Sequence, residues 1–189
     1  MKYHRLFTLN VMALCCILGL FAKKLINPFA NVITEALHIP GGISTGFSIM
    51  FLVIAAELIQ TPRCGIMMGT AQGLLALIMG RVGSMGLLSP IGYIVPGLAI
   101  DLVYCLCRSP LVSRADRMVL ANGLASVMAA VTANIIVFHL VGPVLWLYLC
   151  VSATSGSLYG VLGSTIAARI GSVYGQYQGK VRSQTCENT

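Results

Sequence analysis

Residues 118–168 form a run of 51 positions without one Asp, Glu, Lys or Arg. A helix covers the hydrocarbon core of a bilayer with about 20 apolar residues. The run is too long for one crossing and suits two, broken at Val141-Gly142-Pro143. The rest of the chain repeats the pattern. Residues 6–22, 43–59 (interrupted only by Glu57), 64–80 and 87–107 (carrying Asp101) are the other apolar stretches. Apolar residues make up 57% of the 189 positions and charged ones 9%, whereas soluble domains carry about 25% charged residues. The expected fold is an all-α integral membrane protein with six transmembrane helices.

Orientation follows from the basic residues, which concentrate on the cytoplasmic side of membrane proteins. Alternate loops divide them nine (Lys2, Arg5, Arg63, Arg108, Arg114, Arg117, Arg169, Lys180, Arg182) against three (Lys23, Lys24, Arg81). Both termini are therefore expected in the cytoplasm of a multi-pass protein of the cell membrane. The net charge of +7 needs no nucleic-acid partner, because the charges bracket apolar runs. The N-terminus resembles a signal peptide, but Leu20 and the Lys23-Lys24 pair argue against cleavage after Ala22 and for a retained first helix. Residues 1–175 are read as the membrane domain and 176–189 as a polar, flexible tail.

Polar residues inside apolar spans are costly and mark pairing or function. At 1.5 Å per residue, Glu57 and Asp101 fall in the cytoplasmic third. Arg63 and Arg108 bound the same helix ends, so cytoplasmic-side ion pairing among these four is the first reading. Substrate contact and a proton relay are the others. The opposite half holds Tyr93, Asn134, His139, Trp146 and Tyr148. Between the first two spans, Asn27-Pro28 signals a helix start and Pro40-Gly41-Gly42 a stop. Asn31, Glu35 and His38 share one face of that segment, which reads as a short outer lid or as a solvated loop. These eight residues could converge on an outward pocket for a small planar, polar or cationic molecule. Trp146 and Tyr148 could equally anchor the interface.

Three ladders of small residues recur at a spacing of four: Gly65, Gly69, Gly73; Ala121, Ala125, Ala129, Ala133; and Ser152, Gly156, Gly160, Ser164. Such ladders let helices approach closely in lipid, either within the bundle or on a partner. Seven cysteines, mostly within apolar runs, read as reduced small hydrophobes. Cys105 and Cys107 face different sides of a helix, and three scattered histidines make no metal centre. No phosphate-binding loop, HExxH or GxSxG motif is present, so neither an enzyme nor a bound cofactor is expected.

The order of these features resembles the substrate-binding S-component of energy-coupling factor (ECF) transporters. The resemblance rests on "IPGG" (39–42), on "TPRCGIMMGTAQGLLALIMG" (61–80) and on the proline-broken "LLSPIGYIVPGLAIDLVYC" (87–105). It covers residues 5–170. It implies a small six-helix protein that captures a vitamin or its precursor. That protein would dock on a membrane T-component served by two ABC-type ATPase subunits. It implies docking through helices one to three and a pocket formed by the lid and helices four to six. The family's Ala-xxx-Ala docking motif is replaced here by Cys15-xxx-Gly19, with Gly65, Gly69 and Gly73 as further docking candidates. The proline-rich fourth helix and the aromatic outer residues lean towards thiamine or hydroxymethylpyrimidine. Riboflavin and other vitamins stay open. Metal-type members display a histidine at the second position, where this chain has Lys2, which disfavours a metal. The rival reading is a stand-alone ion-coupled transporter or channel using Glu57 and Asp101.

Overall fold

The computed structural model describes residues 2–37, 43–61, 63–80, 83–108, 112–139 and 141–187. Every regular element among the described residues is helical: α1 (Lys2–Leu37), α2 (Ile43–Ile59), α3 (Cys64–Ile78), α4 (Ile91–Leu106), α5 (Arg114–Ala133) and α6 (Pro143–Glu187). Connections are short, so successive helices run in opposite directions. One end of the bundle gathers the starts of α1, α3 and α5 with the ends of α2 and α4, and is here the terminal end. The opposite end is the far end.

α2 is the central helix and packs against all five others. Its residues from Leu52 to Glu57 are buried without a break. A helix that is apolar on every face belongs in that position. Among the described residues, four helical stretches are long and apolar enough to cross a membrane: Thr8–Phe29, Gly86–Leu106, Arg114–Val137 and Pro143–Ser172. α2 and α3 are apolar but shorter, at 17 and 15 residues.

Two expectations change. The helix start at Asn27-Pro28 does not separate a lid, because α1 runs through Pro28 to Leu37. Proline removes one hydrogen bond from a helix interior, and α1 continues past that loss. The polar tail likewise continues α6 as helix to Glu187.

The small-residue ladders are consumed by packing inside the chain. Ala121 and Ala125 are fully buried and Ala129 nearly so. A methyl group on Gly156 would stand 2.7 Å from Ser126 Cβ, and one on Gly160 would stand 2.7 Å from Val119 Cα. α5 and α6 therefore meet nearly backbone to backbone, and hydrogen bonds lock the seam. Ser152 Oγ donates to the Ser126 carbonyl at 2.8 Å. Asn122 Nδ2 donates to the carbonyls of Gly46 on α2 (3.2 Å) and Gly156 on α6 (2.7 Å). Each such bond answers a polar group that lipid would leave unsatisfied.

Candidate functional site

At the far end, α4 places Tyr93 near its first turn, half-buried. Lys23 of α1 reaches across to it. The ammonium lies 3.5 Å from the phenol oxygen and 5.0 Å from the ring centroid. That distance is within cation–π range. Asn134 is buried where α5 passes into a π-helical turn, Asn134–Phe138. The turn closes with His139 N donating to the Asn134 carbonyl at 2.8 Å. Wide turns of this kind often mark functional positions. On α6 Tyr148 is buried, whereas Trp146 is 70% exposed. Residues two apart on a helix cannot share a face, so the two aromatics divide.

Of the eight expected pocket residues, Asn134 and Tyr148 are thus turned inward and Tyr93 partly so. His139 is exposed, with a left-handed backbone (φ 47°) that ends the helix. Trp146 has the exposure of an interface anchor. Asn31 and Glu35 lie on α1 beyond Pro28, one turn apart. His38 lies outside the described residues.

The five expected docking residues are covered within the chain. Cys15 is 7% exposed. The Gly19 carbonyl accepts from Ser48 Oγ at 3.0 Å, and Gln72 Nε2 donates to the Cys16 carbonyl at 3.3 Å. The Cys15–Gly19 face of α1 therefore rests on α2 and α3. Gly65, Gly69 and Gly73 face α4, where side chains would strike the backbone at Gly97, Tyr93 and Pro90. Glycine stands there because the two helices are too close for anything larger.

The terminal end holds the acids, with partners other than those expected. Asp101 pairs with neither Arg63 nor Arg108. Its Oδ1 accepts from Gly65 N at 2.8 Å and its Oδ2 from Ile66 N at 2.9 Å. These are the second and third amides of α3, whose N-cap residue Arg63 offers no side-chain bond. The first amides of any helix lack internal partners, and an acid there also meets the positive end of the helix dipole. Asp101 on α4 thus does for α3 what an N-cap side chain would do locally.

Glu57 is 2% exposed and also bypasses Arg63 and Arg108. It accepts from Arg114 Nε at 2.6 Å, from Arg117 Nη2 at 3.2 Å on both oxygens, and from Tyr104 Oη at 3.0 Å. The Arg117 guanidinium also stacks over the Tyr104 ring at 5.2 Å. The two arginines sit three apart at the start of α5, which begins with Ser113 Oγ accepting from Asp116 N at 3.1 Å. That Ser-x-x-Asp cap was legible in the sequence. It would have placed Arg114 and Arg117 on one helix face, one turn apart. Beside this cluster the end of α2, the start of α5 and residues 164–172 of α6 line a crevice of about 860 Å³.

Both acids thus have structural tasks: one closes a helix end, the other ties α2, α4 and α5 together. In comparisons with known proteins, no family model matches the sequence and no curated protein is found similar. A solved structure described as an S-component of an ECF transporter superimposes with a TM-score of 0.71. The likeness covers 100% of this chain and 98% of that one, at 19% identity. The chain has the fold of that S-component from end to end.

Proposed function

We propose that the protein is the substrate-binding subunit of an ECF-type importer in the cell membrane. In this reading six helices cross the bilayer, both termini are cytoplasmic, and the far end faces outward. The protein works with a T-component and two ABC-type ATPase subunits and is not itself an enzyme. The observation that carries the reading is the full-length likeness to a solved S-component. The division of polar groups between the two ends supports it. The ligand would lie at the far end, among Tyr93, Asn134 and Tyr148, with Asn31 and Glu35 on the continuation of α1 towards that end. Because the small-residue faces are used internally, the T-component would meet the apolar outer surface of α1 and α3, including Leu14, Ile17, Leu18, Met67 and Leu74.

Within the vitamin-precursor class, Lys23 beside Tyr93 favours neutral hydroxymethylpyrimidine over cationic thiamine, since like charges repel at short range. Calorimetry on the detergent-solubilised chain tests this. Hydroxymethylpyrimidine should bind, and thiamine should bind more weakly. Failure of both, with no small molecule retained in native mass spectrometry, would remove the reading. Uptake into liposomes driven by a pH gradient without ATPases would replace it with the ion-coupled alternative.

A further inference from the structure

The crevice at the terminal end has no part in the substrate reading, yet it has the features of a binding site. Its walls are α2, α5 and α6, with Arg114, Arg169, Ser164, Thr165, Ser172 and Ile170 among the lining residues. Its charge is unbalanced, because among its lining residues one acid, Glu57, stands against two guanidiniums, those of Arg114 and Arg169, and Glu57 is already paired with Arg117 from outside the crevice. Arg114 binds Glu57 through Nε alone and its side chain is 69% exposed, so the outer fork of its guanidinium is open. Arg169 is exposed, and its side chain has no partner among the described residues. The three hydroxyls donate to α6 carbonyls within one turn, at 2.8 to 3.2 Å, and can swing to an arriving acceptor.

The height of the crevice says which anion it meets. α5 begins at Arg114, and the apolar stretch of α6 ends at Ser172. The mouth therefore lies where spans give way to headgroups, while Leu58 and Ile170 supply an apolar wall below. Planar guanidiniums match phosphate oxygens in pairs, and basic pockets between transmembrane helices are suited to lipid phosphates. We propose that this crevice binds a phosphate group, carried by an anionic phospholipid of the leaflet on the terminal side.

The test is native mass spectrometry of the full chain in detergent with added phosphatidylglycerol or phosphatidylcholine. The wild type should retain phosphatidylglycerol in preference. R169Q should reduce that preference by about fivefold, the effect of one basic group near a membrane surface. R108Q, at the same end but outside the crevice, should leave it unchanged. Competition by inorganic phosphate at millimolar concentration would keep the site and assign it to a free phosphate. Equal retention of the two lipids by the wild type, or an unchanged preference in R169Q, would overturn the proposal.

Discussion

At the terminal end, Glu57 holds three side chains and Asp101 two backbone amides, with bonds of 2.6 to 3.2 Å. At the far end, Lys23 meets Tyr93 across 3.5 Å, His139 is exposed on a left-handed residue, and α5 loosens into a wide turn. One end is cross-tied through four helices. At the other, the contact that joins α1 to α4 is the longer Lys23–Tyr93 one. Under the proposed function, the ligand would enter at the end that lacks this carboxylate cross-tie. The helices must meanwhile stay registered somewhere else, and elements that move are drawn from the less stable parts of a fold.

The sharpest way to break this comparison is at Glu57. E57L strands Arg117, which is 17% exposed, and should cost about 3–5 kcal/mol in a denaturant titration of the solubilised protein. The exposed arm R114Q should cost less than about 1 kcal/mol. Equal effects would mean that the cluster is not a buried tie. Next is the α3–α4 seam. G65A pushes a methyl group into the Gly97 backbone and should cost about 1–3 kcal/mol, whereas G171A, with nothing within 4 Å, should be within about 0.5 kcal/mol of wild type. D101N keeps one acceptor for the α3 amides and should cost about 1 kcal/mol while leaving hydroxymethylpyrimidine binding intact. Loss of that binding would collapse the distinction between the ends. The smallest effect belongs to the far end. K23M should leave stability unchanged and narrow the preference for hydroxymethylpyrimidine over thiamine by roughly threefold, the scale of one partly screened charge–charge interaction.

The six helices were legible because charge-free length is a direct consequence of the hydrocarbon core. That Asp101 and Glu57 lie at the same end of the bundle was legible for the same reason, since rise per residue converts position into distance along a helix. Their partners were not. Depth says which groups share a level but not which helices are neighbours, and Arg63 and Arg108 lost to residues on other elements. Asp101 found amides, which leave no mark in a sequence. The glycine ladder of α3 reads the same whether it faces a partner protein or α4, and only the approach of Gly97 decides. Trp146 and Tyr148 could have been separated in advance, because two residues on a helix subtend about 200°. Lys23 was counted as a loop charge, since the end of α1 was placed too early.

The trans cap bears on how the chain is made. α3 emerges from the ribosome before the carboxylate that completes its N-terminus, since Asp101 lies 36 residues beyond Gly65. Until then those amides have only interfacial water to turn to, so α3 and α4 form a hairpin that is settled only when its second arm arrives. A truncation ending ahead of Asp101 would leave the first arm unfinished during biogenesis, open to slippage and to quality-control proteases.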